Sequence, residues 1–161
     1  MIRRGRRGTV LLEFALTGPL LFALTMTVME GAWQALTSST LDIGAREASR
    51  FGATGSAMPS WLPPPAPTSR EEAIRRIVLH YGPYVIDQNR LTVRVTAYAG
   101  PSALAQPAPG TAGAGAAGET VLYEVSYDQP FLTPFPTMLL GRSAIEHRTR
   151  MIVRNEPFPS S

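Results

Sequence analysis

The sequence contains no cysteine and no lysine, and only two of its 161 residues are histidine. Without cysteine the chain can form neither a disulfide framework nor a cysteine-ligated zinc site. His80 and His147 lie on a predicted helix and a predicted strand without a partner at ligand spacing, so we expect neither to bind a metal. No glycine-rich phosphate loop, nucleophile elbow or catalytic carboxylate pair is present. We therefore expect a protein that is not an enzyme and that takes no cofactor, metal or small-molecule substrate.

Charge is scarce and unevenly distributed along the chain. Charged residues make up 17% of the sequence, and the formal net charge is +3. Four of the fifteen arginines precede residue 8, so the net charge of the remaining chain is −1. The basic character therefore belongs to the N-terminal segment. The later group of Arg148, Arg150 and Arg154 has too few neighbouring aromatic residues to indicate nucleic-acid binding.

The longest apolar run begins directly after this basic segment. No charged residue occurs from Phe14 to Met29, and the twenty residues from Val10 to Met29 would span about 30 Å as a helix, which matches the hydrocarbon core of a bilayer. We predict one membrane-spanning helix. Because arginines before a first span hold that end in the cytoplasm, the rest of the chain is expected on the outer face.

Glu13 is the unusual residue of this run. A carboxylate inside the apolar boundary costs about 2.5–3.5 kcal/mol at the bilayer centre and less near the edge, so it requires a partner or access to the surface. Three interpretations of the N-terminus compete: a cleaved secretory signal, an uncleaved signal anchor and a type IV prepilin leader. The secretory signal is disfavoured by the long apolar region, by Glu13 and by the lack of a clean small-residue cleavage site.

A prepilin leader explains more of these residues. A cut between Gly8 and Thr9 would leave the apolar helix on the mature chain and make Glu13 its fifth residue. In a filament, the Glu13 carboxylate could lie beside the N-terminal ammonium of a neighbouring subunit, which would favour the ionised carboxylate and fix the axial register. The simpler alternative is that Gly8 is incidental and that Glu13 reaches the cytoplasmic surface.

Several short motifs, in their order and spacing, resemble a known family. They are the basic leader with its glycine, the sequence GTVLLEF that ends in Glu13-Phe14, Pro19, Glu30-Gly31, and the stretch DIGAREASRFGA over 42–53. Together they look like the TadE-like pseudopilins of the tight-adherence (Tad/Flp) type IV pilus system. The resemblance is densest over residues 5–53 and weaker through the C-terminal third.

The resemblance implies a minor pilin, or pseudopilin, that is needed to assemble an adhesive Tad/Flp pilus. A prepilin peptidase would process it at Gly8 and Thr9, and Glu13 and Phe14 would serve subunit register and assembly. Its partners would be other Tad/Flp pilins and the assembly machinery. The protein would reside in the inner membrane and could then be incorporated into an extracellular pilus. The alternative is an uncleaved, signal-anchored periplasmic binding module of the cell envelope.

The pair Gly18-Pro19 disrupts a helix more strongly than the residues that many apolar spans contain. Proline removes one helical hydrogen bond and clashes with the preceding turn, although membrane helices tolerate it where neighbouring groups satisfy the backbone. We expect a helix kink or a locally melted turn at this pair.

The remaining sequence predicts an α+β organisation with a small head. After the leader, residues 1–8, we expect a transmembrane and extended helix over 9–55, continued on a stripe formed by Leu41, Ala45 and Ala48. A proline-rich linker over 56–69 would join it to a periplasmic or extracellular head over 70–161.

Within the head, Ser69 and Glu72 form a capping box that begins a helix ending at Gly82-Pro83. Alternating apolar residues predict a roughly three-stranded antiparallel sheet, with strands over 91–98, 121–127 and 144–154. The uncharged segment 100–118 is expected to be a mobile loop. The apolar connection 129–141 is expected to pack on the sheet or to contact another pilin.

Overall fold

The computed structural model describes residues 5–106 and 110–157, with side chains from residue 8 onward. The architecture is α+β, as predicted: a long N-terminal helix is followed by a head built on one four-stranded antiparallel sheet. The elements, in chain order, are α1 (Gly5–Thr54), α2 (Arg70–Tyr81), β1 (Leu91–Tyr98), α3 (Pro101–Leu104), β2 (Thr111–Ala112), β3 (Thr120–Pro130), α4 (Pro134–Leu140) and β4 (Ala144–Arg154). The predicted leader arginines Arg3 and Arg4 lie outside the described residues.

Helix α1 has two halves in different environments. The N-terminal half is a candidate membrane span: its most apolar 18-residue window has a mean hydropathy of 1.7 and contains no buried residue. The C-terminal half contributes the predicted stripe of Leu41, Ala45 and Ala48 to the core of the head. The helix ends at Thr54, where Gly55 adopts a φ of 62° that favours glycine.

Small residues let α1 and α2 approach closely. A Cβ atom added to Gly44 would lie 3.1 Å from the Cα atom of Val78 on α2. Val78 and its neighbours Ala73, Ile74 and Ile77 form the buried face of α2. The two helices therefore meet where one of them has no side chain.

The start of α2 follows the predicted capping pattern with one difference. The Oγ atom of Ser69 accepts a hydrogen bond from the backbone N–H of Glu72 at 3.1 Å. The Glu72 carboxylate reaches one residue further back than a standard capping box and accepts the backbone N–H of Thr68 at 2.7 Å. This hydrogen bond, with those from the Thr68 hydroxyl and Arg76, lowers the pKa of Glu72 to about 2.

The sheet has the order β2-β1-β3-β4, and all of its neighbours are antiparallel. The three predicted strands are present, but the predicted number of strands was one short. The additional strand, β2, has only two residues, which pair with Thr96 and Ala97 inside the segment expected to be a loop. So short a strand carries no alternation that a sequence pattern could reveal. The mobility of segment 100–118 stays a prediction.

The two faces of the sheet differ in polarity, as the alternation indicates. The face covered by the helices carries the buried side chains Val121, Tyr123, Val125 and Tyr127 of β3. The opposite face carries ion pairs, such as the one between Arg150 Nε and Glu124 Oε1 at 2.8 Å. The helices therefore cover one side of the sheet. The N-terminal half of α1 extends beyond the sheet, and most of its side chains are exposed.

Candidate functional site

Two carboxylates mark the ends of the apolar run on α1. Glu13 and Glu30 are separated by seventeen residues, which corresponds to about 26 Å along a helix. Their environments differ, and this difference defines the candidate site.

Glu30 is paired within the chain. Its side chain is only 7% exposed, although it lies at the end of an apolar run. The Oε2 atom accepts the backbone N–H groups of Leu132 at 2.9 Å and Thr133 at 3.4 Å. The Oε1 atom accepts the Nε2 group of Gln34 at 2.9 Å. The carboxylate therefore fixes the segment that leads into α4 against α1, since a buried charge is tolerated when its acceptors are occupied.

The contacts of Glu30 continue along α1 as a line of polar pairs that we term the polar seam. Gln34 Oε1 and His147 Nε2 lie 2.8 Å apart, and Thr37 donates its hydroxyl to Gln129 Oε1 at 3.1 Å. Further along, the Thr149 hydroxyl donates to Asp42. The seam comprises Glu30, Gln34, Thr37 and Asp42 of α1 with Leu132, Thr133, Gln129, His147 and Thr149 of the head.

Burial sets the state of the seam's histidine. Desolvation lowers the pKa of His147 below its ordinary value of 6.5, so the imidazole is mostly neutral at neutral pH. With Gln34 donating its amide to Glu30, its oxygen is left to accept, and the neutral ring donates from Nε2. The hydrogen bonds from His147 through Gln34 thus run towards Glu30, which also accepts the N–H groups of Leu132 and Thr133 from the segment before α4.

Glu13 has a different environment on the same helix. It is exposed on the bare half of α1, next to Phe14, whose side chain is also exposed. The carbonyl oxygen of Glu13 accepts the Thr17 hydroxyl at 2.8 Å, but its carboxylate has no partner among the described side chains.

The other predicted site residues lie on this same bare stretch. Gly8 is inside α1, and a Cβ atom added there would meet nothing within 4 Å, so packing within the chain does not require glycine. Helix α1 continues through Gly18 and Pro19 with no turn lost. The kink at this pair and the processing at Gly8 and Thr9 stay predictions.

Helix α4 adds an apolar surface beside the bare helix. It contains no buried residue, and with its flank it exposes five large apolar side chains that we term the α4 patch: Leu132, Phe135, Met138, Leu139 and Leu140. Two clefts of about 290 Å³ each separate α4 and its flanks from α1. The structure places this helix alongside α1 and not on the sheet, and the expected contact with another pilin stays a prediction.

Sequence reasoning missed the structural role of Glu30 and of its partners. Glu30 entered only as part of the motif at the end of the span, and Gln34 and Gln129 were not singled out. The sequence does contain one indication of this role. Glu30 ends the apolar run, and Gln34, whose side-chain amide can donate a hydrogen bond, follows one helical turn later. The Glu30 partners Leu132 and Thr133 lie more than one hundred residues away and use backbone groups, which no side-chain pattern reveals.

The described residues include no group of three or more histidine, aspartate or glutamate side chains that could hold a metal ion. The expectation that the protein is not an enzyme stays a prediction.

Comparison with known proteins finds a family match over most of α1. Residues 8–50 match the family model described as TadE-like protein. The match begins at Gly8 and includes Glu13, Glu30 and the α1 side of the polar seam. It confirms the resemblance drawn from the sequence. No curated protein and no solved structure matches the chain.

Proposed function

From the TadE-like match over residues 8–50, which associates this chain with the Tad pilus system, we propose that the protein is a minor pilin needed to assemble a Tad/Flp pilus. A prepilin peptidase cleaves it between Gly8 and Thr9. The N-terminus faces the cytoplasm, α1 crosses the inner membrane, and the head lies in the periplasm until the subunit enters the pilus.

The contrast between Glu13 and Glu30 is the observation that carries this proposal. Both carboxylates border one apolar run, but among the described residues only Glu30 has its oxygens occupied, Oε2 by two N–H groups of the head and Oε1 by Gln34. An ionised carboxylate in a low-dielectric environment needs an opposite charge or hydrogen-bond donors. Glu13 therefore requires a partner that its own head does not supply.

Cleavage after Gly8 would create such a partner. It removes the arginine-rich leader and leaves a new ammonium group on Thr9, one helical turn before Glu13. In an assembly of parallel helices, the ammonium of one subunit can pair with Glu13 of the next. Because this pair forms only at one axial offset, it selects the register of the incoming subunit.

The polar seam joins the head to α1 during this process. A subunit withdrawn from the membrane by its helix has to bring the head along without unfolding. The seam and the shared core bind the C-terminal half of α1 to the sheet, so that the head and helix move as one unit.

Complementation of a gene deletion in the source strain tests the proposal. We expect the deletion to abolish surface pili, as measured by electron microscopy and by the amount of sheared pilin, and the wild-type gene to restore them. We expect Glu13→Gln to restore few or none, because an uncompensated partner charge costs about 3–5 kcal/mol when buried. The matched control, Glu47→Gln, alters an exposed ion pair of α1 and should restore pili fully.

A second variant distinguishes register from charge alone. In Glu13→Gln combined with Thr17→Glu, the carboxylate returns to the same helix about 6 Å further along. The proposal predicts that pili remain absent, because the ion pair would form at the wrong offset. Normal piliation in the deletion strain or with Glu13→Gln would contradict the proposal and would favour an uncleaved, signal-anchored binding module.

A further inference from the structure

We infer that α4 is a second membrane contact: the α4 patch inserts into the outer leaflet of the bilayer beside α1, so that the head rests on the lipid surface through acyl-chain contacts. The inference requires that α1 span a membrane, but it does not depend on pilus assembly or on cleavage after Gly8.

The level of α4 along α1 is the first reason. One cleft between the two helices is lined by Phe22, Ala23 and Met26 of α1 and by Phe135 and Met138 of the head. Phe22 precedes Met29, the last residue of the predicted span, by seven residues, or about 10 Å of helix. A bilayer that covers α1 as far as Met29 therefore also reaches α4.

The chemistry of the segment is the second reason. No charged residue occurs between Asp128 and Arg142. None of the α4 side chains is buried, and Met138 is 84% exposed and Leu139 is 73% exposed. A contiguous apolar surface of this kind marks a contact with lipid or with a partner. Its continuity with the bare surface of the candidate span favours lipid over a partner protein.

Several backbone groups at the two ends of α4 already have partners within the protein, which is the third reason. In hydrocarbon, every peptide group needs a partner within the protein. Before α4, the N–H groups of Leu132 and Thr133 donate to Glu30. Pro134 and Pro136, in the first turn, have no N–H group to satisfy. At the other end, Gly141 has a φ of 66° and donates its N–H to Thr137 O at 3.0 Å.

Glu30 thereby gains a specific role in this arrangement. It is the buried carboxylate at the edge of the span, and two of its hydrogen bonds hold the entry to α4 at that depth. The orientation of the head relative to the membrane would then be fixed by two points, α1 and α4, because a single helix alone leaves the head free to rotate about its axis.

Cysteine reactivity in vesicles tests the inference, and the natural absence of cysteine makes single-cysteine variants simple to interpret. The full chain is reconstituted in vesicles of phosphatidylcholine and phosphatidylglycerol and treated with a membrane-permeant maleimide. Met138→Cys is the test variant. Leu24→Cys, in the span, and Tyr84→Cys, on the head at 95% exposure, are the references. Reactivity of each variant in denaturant corrects for intrinsic differences.

We expect Met138→Cys to react at least about tenfold more slowly than Tyr84→Cys and at a rate close to that of Leu24→Cys. A tenfold difference corresponds to a thiol pKa raised by about one unit, since only the thiolate reacts. A rate equal to that of Tyr84→Cys would overturn the inference. A fast rate for Leu24→Cys would overturn it as well, because the span itself would then lie outside the bilayer.

The protein-to-lipid ratio separates lipid from a second copy of the chain. Protection of Met138→Cys by lipid persists when the protein is diluted in excess lipid, which is the expected result. Protection that disappears on dilution would assign the α4 patch to a protein interface and overturn the inference. Leu139→Cys, at the adjacent position, repeats the test for the case in which Met138→Cys fails to fold.

Discussion

At the scale of single residues, Glu30 shows how a carboxylate near an apolar run can serve structure. It accepts three hydrogen bonds, two from backbone N–H groups and one from Gln34. Hydrogen bonds to a charged group stabilise more than neutral ones, and their loss leaves buried donors without acceptors. Glu30 thus satisfies two backbone N–H groups of a distant segment, directly before α4 begins.

Replacing Glu30 by alanine tests this role. We expect the free energy of unfolding to fall by about 1–3 kcal/mol, because the buried N–H groups of Leu132 and Thr133 lose their acceptor. The measurement is urea unfolding of the full chain in lipid nanodiscs, followed by tryptophan fluorescence. The control Glu47→Ala removes an exposed ion pair with Arg50 and should cost less than about 1 kcal/mol. Equal effects of the two variants would refute the assignment.

Gly52 is a second residue whose identity is dictated by one contact. A Cβ atom at this position would lie 1.9 Å from the hydroxyl oxygen of the buried Tyr123, far inside contact distance. The clash falls on a side chain of the sheet's inner face and not on the helix itself. Glycine at this position therefore permits α1 to lie on β3.

Gly52→Ala should destabilise the head by about 1–3 kcal/mol, the usual cost of overpacking a core. Gly31→Ala is the matched control, since an added Cβ atom there meets nothing within 4 Å, and alanine in a helix is favoured by up to about 1 kcal/mol. Thermal unfolding of both variants in the same nanodiscs provides the comparison. If the two substitutions shifted stability in the same direction, the packing argument would fail.

At the scale of elements, local signals were predictable and long-range pairings were not. The start of α2 at Ser69 and the strand alternation of β1, β3 and β4 are encoded within a few residues and were found from the sequence. The strand β2 was missed because two residues carry no period. The position of α4 was missed because it depends on a contact between Glu30 and Leu132 across 102 positions.

In the candidate site, too, some features could be predicted from the sequence and others could not. Glu13 stands out in the sequence because it interrupts an apolar run. Its lack of an intramolecular partner among the described side chains emerges only from the fold. Glu30 shows the reverse behaviour, since in the sequence it is one residue of a motif at the end of the apolar run and the fold reveals a buried acceptor.

The junction between α1 and β4 should respond to pH through His147. Burial lowers the pKa of this residue in the folded state, so the folded protein binds fewer protons than the unfolded chain. The stabilisation is complete above about pH 6.5, the unfolded value, and is lost as the pH falls through the depressed folded value. Stability should therefore decline below pH 6.5 more steeply in the wild type than in His147→Gln.

Denaturant unfolding of both proteins across this pH range checks the prediction. Glutamine can still donate a side-chain amide towards Gln34, so a general loss of packing is kept small. Parallel pH profiles for the two proteins would show that His147 does not control the junction.

At the scale of the whole molecule, one 50-residue helix connects two environments. Its first half is bare and apolar, with Glu13 exposed, while its second half is part of the core of the head. The match to the TadE-like family covers 8–50 and thus includes both halves. This division suits a subunit in which the N-terminal half of α1 is the membrane anchor and the C-terminal half holds the head.

We propose that Gly8 precedes the mature N-terminus of a pilin. The most direct test is the intact mass and N-terminal sequence of the protein, extracted from membranes of cells that contain the native prepilin peptidase. The wild type is compared with Gly8→Arg and with Gly5→Arg, which adds the same charge within the leader without altering the cleavage site.

We expect the mature chain to begin at Thr9 in the wild type and in Gly5→Arg, and Gly8→Arg to retain its leader. A wild-type chain that retains its leader, or one that begins at another residue, would contradict the proposed cleavage.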